Sequence, residues 1–176
     1  MFTLARALQA IDDVWNAKPS SIALTWNAPV QFDESLVARL AAQHYELGLR
    51  FETLGRQMQS DPSVAEKQVL ECADDLHKLR HLEALRLYPL IARGISADPV
   101  ARRLFWQSRL VMLGLARRLF RRFDELVRAI QSRGETAAAV DHVAKALAEY
   151  RQRNEAEIYP LYSLAGRRGA GQTHAA

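Results

Sequence analysis

The sequence contains little of what disulfides, membrane spans and export signals require. Cys72 is the sole cysteine, which excludes an internal disulfide and a cysteine metal cluster and fits a reducing compartment. Apolar runs are short, so no segment is predicted to span a bilayer. The N-terminal stretch lacks the basic-then-apolar pattern of a secretory signal. We therefore expect a cytoplasmic protein that does not bind membranes.

Sequence motifs of common catalytic sites are also missing. The chain has no glycine-rich phosphate loop, no Gly-x-Ser-x-Gly, no His-Glu-x-x-His and no credible Cys-His pair. No histidine occurs from residue 82 to residue 141. We therefore expect that the protein is not an enzyme.

The residues that are abundant favour helices. The chain has 176 residues, 49% hydrophobic and 25% charged, which predicts one globular domain. Ala, Leu, Arg, Glu and Gln dominate, and strict apolar-polar alternation is nearly absent, so we predict an all-α protein. Proline and glycine breaks delimit four long helices, over residues 33–59, 62–93, 99–132 and 135–165. Short turns between such helices predict an up-down-up-down four-helix bundle.

The ends of the chain are predicted to lie outside this bundle. Residues 1–32 contain a short helix near residues 3–15 and a proline-containing loop, so they are predicted to form an N-terminal extension. Residues 33–165 form the predicted bundle, and residues 166–176 are predicted to be a flexible tail.

Each predicted helix carries an apolar stripe in steps of three and four residues, with a polar interruption well inside the helix. The interruptions are His44, Arg80, Ser108 and the pair Arg151 and Glu155. Because they fall at related heights, they predict one buried polar site shared by the four helices.

A repeated segment carries two of these interruptions. "RHLEALRLYPLIARG", residues 80–94, returns as "RQRNEAEIYPLYSLAG", residues 151–166. Both segments resemble the paired segments of the hemerythrin-like, or HHE cation-binding, family, in which His-x-x-x-Glu lies just before Leu-Phe/Tyr-Pro-x-Leu. Trp26-Asn27 and the Ala-Asp-Pro that opens the third helix are also similar to that family. The resemblance extends over roughly residues 26 to 165.

The resemblance implies a di-iron site whose ligands have mostly been replaced. Family members take one His from the first helix, His-x-x-x-Glu from the second, His from the third and His-x-x-x-Glu or Asp from the fourth. The matching positions in this chain are His44, Arg80 with Ala84, Ser108, and Arg151 with Glu155. A guanidinium cannot ligate a metal and repels one. The resemblance therefore implies a divergent member without a cofactor, in which these residues form a polar cluster.

The charges of the predicted cluster leave two interpretations open. Arg80 and Arg151 face only Glu155, and a buried charge without a partner costs several kcal/mol. Three arrangements would balance the excess positive charge: one arginine extends to the surface, a further carboxylate joins the cluster, or the cavity holds an anion. The cluster is then either structural or a pocket for a small anionic ligand.

A second hypothesis is a cation-binding or oxygen-related protein with a non-standard ligand set. His77 and His81 have the i, i+4 spacing of two metal ligands on one helix face. Together with His44 and Glu155 they would suit iron or zinc. The alternative is that both histidines lie at the surface without a metal.

A third hypothesis concerns the third helix, which is strongly basic. Its patch of Arg117, Arg118, Arg121 and Arg122 is either a solvated face or a surface for nucleic acid or an acidic protein. No nucleic-acid-binding module is recognisable, and the other helices are not basic, which counts against nucleic acid. Phe105 and Trp106 also suggest a homodimer. The leading hypothesis remains a non-enzymatic binding, sensing or regulatory protein.

Overall fold

The computed structural model describes residues 31–58, 62–132 and 134–172. Within these ranges every regular element is a helix and there is no strand, which confirms the all-α prediction. The helix predicted near residues 3–15 lies outside the described residues. Among the helices described, none combines the length and the apolarity that crossing a membrane requires.

Four helical rods make up the described part of the chain. The first rod is α1, Leu36–Gln57. The second consists of α2, Pro62–Leu82, then the π-helix π1, Glu83–Leu87, then α3, Tyr88–Gly94. The third is α4, Pro99–Gln131. The fourth consists of α5, Thr136–Arg153, then the π-helix π2, Asn154–Ile158, then α6, Tyr159–Gln172.

The fourth rod differs from the prediction at its C-terminal end. The helix was predicted to stop at residue 165, but α6 continues to Gln172. Gly166 is buried, and a Cβ at this position would lie 2.1 Å from the ring of Phe32. The Phe32 ring in turn stacks on Tyr162, with centroids 5.1 Å apart. The start of the predicted tail is therefore packed against the residues that precede α1.

Two prolines explain the two π-helices. Proline has no N–H, and its ring clashes with the carbonyl group four residues earlier in a regular helix. Immediately before Pro89, the Tyr88 N–H donates to the Glu83 carbonyl, five residues back. Immediately before Pro160, the Tyr159 N–H donates to the Asn154 carbonyl in the same way. The wider π-turn accommodates each proline without breaking the rod.

The rods pack around one apolar core. α5 contacts both α4 and α1, α1 also contacts α2, and α3 packs against α6. Within the core, Phe51 of α1 and Phe123 of α4 meet edge to face with centroids 5.1 Å apart. At one end of the core, a Cβ at Gly94 would lie 2.4 Å from the Cβ of Ala165, so α3 and α6 approach closely there.

The buried positions of the first and third rods have the same spacing. In α1 they are Leu36, Leu40, His44, Leu47, Phe51 and Leu54. In α4 the matching positions are Ala101, Phe105, Arg109, Met112, Ala116 and Leu119. The second and fourth rods also share a segment, so the first two rods resemble the last two. His44 of the first rod and Arg109 of the third occupy equivalent places in these two halves.

Candidate functional site

The centre of the structure holds a polar cluster that is closed to solvent. The described chain buries five polar or charged residues, which are His44, Arg80, Glu83, Arg109 and Asn154. They come from all four rods. Glu83, His44 and Asn154 have no exposed surface, and Arg80 is 2% exposed. A carboxylate in this position has exchanged water for protein donors, which is costly unless those donors are well placed.

Glu83 is the acceptor at the centre of the cluster. Arg80 Nη1 donates to Glu83 Oε2 over 2.7 Å. The Tyr150 hydroxyl donates to the same oxygen over 2.5 Å. Asn154 Nδ2 donates to Glu83 Oε1 over 3.2 Å. Both carboxylate oxygens are therefore bonded, by groups from the second and fourth rods.

His44 joins the cluster from the first rod. Its Nε2 lies 3.6 Å from Glu83 Oε1, and its Nδ1 lies 3.2 Å from the Tyr159 hydroxyl. A neutral imidazole with its proton on Nε2 directs that proton towards the carboxylate and accepts from Tyr159 at Nδ1. The His44 ring also lies against the Tyr150 ring, with centroids 5.5 Å apart.

Aromatic rings cover both buried guanidinium groups. Arg80 Cζ lies 4.9 Å from the centre of the Tyr150 ring. Arg109 Cζ lies 5.0 Å from the Tyr88 ring and 5.5 Å from the Trp106 ring. Such cation–π contacts contribute about 2 kcal/mol or more when the cation is desolvated. They make two buried cations near one carboxylate tolerable.

Burial changes the protonation of the cluster. Burial raises the pKa of Glu83 from 4.5 to about 7, although Arg80 and Asn154 act in the opposite direction. Burial, assisted by the positive charge of Arg80, lowers the pKa of His44 from 6.5 to about 3. The imidazole is therefore neutral at physiological pH, while the Glu83 carboxyl is close to its midpoint.

The structure retains two members of the predicted cluster and corrects the others. His44 and Arg80 lie in the centre, as predicted. Ala84 is only half-buried, and its neighbour Glu83 takes the inner position. Glu83 lies three residues after Arg80 and four before Leu87, so it shares the buried face of this rod with them.

On the fourth rod and on α4, too, the buried residue is a neighbour of the residue that was predicted to face the centre. The Arg151 and Glu155 side chains are 33% and 49% exposed, and they form a 3.7 Å ion pair towards the surface. Asn154 occupies the inner position instead. On α4, Ser108 is half-buried, and the buried residue is Arg109.

The alternative metal set does not come together. Across the described ranges, no group of three or more His, Cys, Asp or Glu side chains is arranged to hold a metal ion. His77 is half-buried and His81 is exposed, with ring centroids 6.4 Å apart, while His44 is buried elsewhere. The central cluster does not fit a di-iron centre either, since it offers one imidazole and one carboxylate beside two guanidinium groups.

The predicted basic patch lies on the outer side of α4. Arg117, Arg118 and Arg121 are exposed, and Arg122 is partly buried. Two of the four already have acidic partners, since Arg118 pairs with Glu149 at 2.9 Å and Arg122 pairs with Glu125 at 2.6 Å. The patch is therefore less cationic than its sequence suggests.

Comparison with known proteins adds no relative from which the site can be interpreted. No family model matches this chain, and neither a curated protein nor a solved structure matches it. The interpretation of the cluster therefore depends on its own geometry.

Sequence reasoning missed Glu83, Tyr150, Asn154 and Arg109. One signal was available for two of them, because Glu83 and Asn154 are the polar residues at the same place in the repeated segment. The proline inside each segment also indicates a local change of helical pitch. No comparable signal marks Arg109.

Proposed function

We propose that the chain is a hemerythrin-like protein with an up-down-up-down bundle, in which side chains replace the di-iron centre. It acts without a metal as a non-enzymatic binding and regulatory protein. The observation that carries this proposal is the 2.7 Å bond between Arg80 and Glu83 in the middle of the four rods. A guanidinium occupies a place where the resemblance implies an imidazole ligand.

The closed surface of the cluster supports a structural role for it. A small anionic ligand would have to separate the rods to reach Arg80, which is 2% exposed and already bonded to Glu83. The bonds between rods are those from Tyr150 and Asn154 of the fourth rod to Glu83 of the second. Leaving a buried polar group without its partner costs about 1–3 kcal/mol, so these bonds favour one arrangement of the two rods. Binding and regulation then take place at the outer surface.

Metal analysis tests the loss of the di-iron centre. The full chain is produced in iron-supplemented medium, purified without chelator and analysed by mass spectrometry for bound metals. We expect far less than one iron per chain and no change in melting temperature after dialysis against a chelator. Stoichiometric iron, with the absorption band of an oxo-bridged pair, would overturn the proposal.

A reconstruction experiment tests the proposed architecture. The triple variant Arg80→His, Arg109→His and Asn154→Glu supplies imidazole and carboxylate ligands beside His44 and Glu83, so we expect it to take up iron. The matched control is Ala84→Glu with Arg151→His, which places the same residue types outside the cluster and is expected to take up none. A folded triple variant that binds no more iron than the control would argue against a hemerythrin-like arrangement.

A further inference from the structure

One ring nitrogen of His44 faces Glu83 without a hydrogen bond. His44 Nε2 is fully buried, and no group in the described part of the chain lies within hydrogen-bonding reach of it. Glu83 Oε1 is 3.6 Å away, which is beyond the length of a hydrogen bond. The other ring nitrogen, Nδ1, lies 3.2 Å from the Tyr159 hydroxyl. His44 therefore lies between a carboxyl and a phenol, and a small movement of Glu83 joins all three groups.

The two oxygens of Glu83 differ in the donors that they already accept. Oε2 accepts from Arg80 and from the Tyr150 hydroxyl, whereas Oε1 accepts from Asn154 alone among the described residues. Each carboxylate oxygen has two acceptor sites, so two donors fill those of Oε2. A proton taken up by this carboxyl therefore binds Oε1, the oxygen that faces His44.

Glu83 is the group of the cluster that changes charge near neutral pH. Burial raises its pKa to about 7, and burial lowers the pKa of His44 to about 3. Burial also raises the pKa of the Tyr88 phenol to about 12 and raises that of Tyr159, so both phenols keep their protons. The guanidinium groups stay charged. Every rod contributes charged or titratable groups around the carboxyl and the imidazole: His44 on the first, Arg80 and Tyr88 on the second, Arg109 on the third, and Tyr150, Arg151, Glu155 and Tyr159 on the fourth.

We propose that Glu83, His44 and Tyr159 form a proton relay, in which the histidine changes tautomer when the carboxyl takes up a proton. While the carboxylate is ionised, His44 carries its proton on Nε2 and accepts from Tyr159 at Nδ1. On protonation, the Nε2 proton passes to Glu83 Oε1, the Tyr159 proton passes to His44 Nδ1, and the phenol takes one proton from solvent. The protein gains one proton, the imidazole stays neutral, and each hydrogen bond reverses its direction.

Tyr159 is the end of the relay that is nearest to solvent. This residue is 5% exposed, whereas Glu83 and His44 have no exposed surface. The charge of Glu155, whose side chain is 49% exposed, acts on the Tyr159 phenol. The relay gives the enclosed carboxyl a route to the surface that does not require the rods to separate. Without such a route, a fully buried group exchanges its proton only when the surrounding structure opens.

Asn154 is the competing acceptor for the proton of Glu83. Its Oδ1 is buried and has no hydrogen bond within the described ranges, so turning the amide over would direct this oxygen to the carboxyl. That rotation would also withdraw Nδ2, which donates to Glu83 Oε1, and leave its N–H groups without this acceptor. His44 needs no rotation, because a change of tautomer reverses its bonds in place. We therefore expect the proton to be donated to His44.

The tautomer of His44 tests the relay in the wild-type full chain. Protonated and bare ring nitrogens differ in NMR chemical shift, and the signals of His44 are identified by their loss in His44→Gln. Between the two pKa values, about 3 for His44 and about 7 for Glu83, we expect a neutral ring with its proton on Nδ1. Above the upper value we expect the proton on Nε2. Glu83→Gln cannot titrate at this position, so it should show one tautomer throughout.

Two results of this measurement would overturn the relay. A His44 ring that keeps one tautomer while Glu83 titrates would assign the proton to Asn154. A ring that is protonated on both nitrogens in the same range would show that His44 itself takes up the proton.

The kinetics of proton uptake test the route through Tyr159. The protein is mixed rapidly from the upper to the lower side of the Glu83 titration in the presence of an indicator dye. The phase that Glu83→Gln lacks belongs to this carboxyl. Tyr159→Phe removes the hydroxyl and should slow that phase about tenfold or more, because exchange then requires local opening of the rods.

Tyr162→Phe is the matched control for this experiment. Tyr162 is also buried on α6, but its hydroxyl donates to the Asp33 carbonyl outside the relay. This variant should take up the proton at the wild-type rate, and circular dichroism verifies that both variants are folded. A Tyr159→Phe protein that takes up the proton as fast as wild type would overturn the route.

Discussion

Glu83 and Asn154 occupy the same place in the two Tyr-Pro segments, 71 residues apart, and their side chains are hydrogen-bonded to each other over 3.2 Å. Gly94 and Ala165 are a second pair at the same spacing, and they are also in contact. Contacts between equivalent residues indicate a local two-fold relation between the second and fourth rods.

The first and third rods extend this relation. Arg109 of α4 covers Tyr88, and the equivalent residue of α1, His44, contacts Tyr159. The polar cluster therefore lies where two similar halves meet. Because equivalent places hold different residues, the cluster brings acid, base, amide and phenol groups together, and most of their bonds converge on Glu83.

Tyr150→Phe is expected to destabilise the protein by about 1.5–3 kcal/mol, as is typical for a lost hydrogen bond to a charged group. Its hydroxyl bonds to Glu83 Oε2, and no solvent replaces it there. Urea denaturation measures the change in the free energy of unfolding. Tyr45→Phe is the control, because this ring is 56% exposed, and it should change stability by less than about 0.5 kcal/mol. Equal effects of the two variants would show that the hydroxyl of Tyr150 contributes nothing.

The stability of the protein is expected to fall as the Glu83 carboxyl ionises. The pKa of this group is raised from 4.5 to about 7 by burial. Between these two values the unfolded chain has lost the proton and the folded chain retains it, so stability decreases as the pH rises through this window and levels off above it.

Glu83→Gln removes this contribution. The difference in unfolding free energy, wild type minus variant, should fall by about 3 kcal/mol from the lower to the upper end of the window. Denaturant titrations at several pH values measure it. A difference that is independent of pH would mean that Glu83 keeps an ordinary pKa in the folded protein.

His44 is expected to produce a slope of the opposite sign. Burial and Arg80 lower its pKa from 6.5 to about 3, so the unfolded chain takes up a proton at a higher pH than the folded chain. Stability therefore decreases as the pH falls below 6.5. His44→Gln should remove about 3 kcal/mol of this loss by a pH of about 4.

Gly94→Ala is expected to destabilise the protein by about 1–3 kcal/mol through overpacking. The added Cβ would lie 2.4 Å from the Ala165 Cβ and 2.7 Å from its Cα, so backbone has to move. Gly48→Ala is the matched control, since nothing lies within 4 Å of a Cβ at this helical position. Alanine should stabilise that site by about 0.5–1 kcal/mol. Thermal melts of both variants should shift in opposite directions, and a common direction would contradict the close contact of α3 with α6.

The amino-acid sequence by itself determined the helical class, the approximate bounds of the four rods and the inward positions of His44 and Arg80. Helix-forming composition, proline and glycine breaks and a stripe of period 3.6 are local properties, and they suffice for these features. The paired Tyr-Pro segments also marked the second and fourth rods as related.

Only the tertiary structure decided which neighbours of Arg80 complete the cluster. The predicted stripes place Ala84, Arg151 and Glu155 inside, but the packed rods bury Glu83 and Asn154 instead. Burial of Arg109 depends on rings from two parts of the chain, Tyr88 and Trp106. The partners of a buried charge are set by packing between rods, and the period of a single helix does not contain that information.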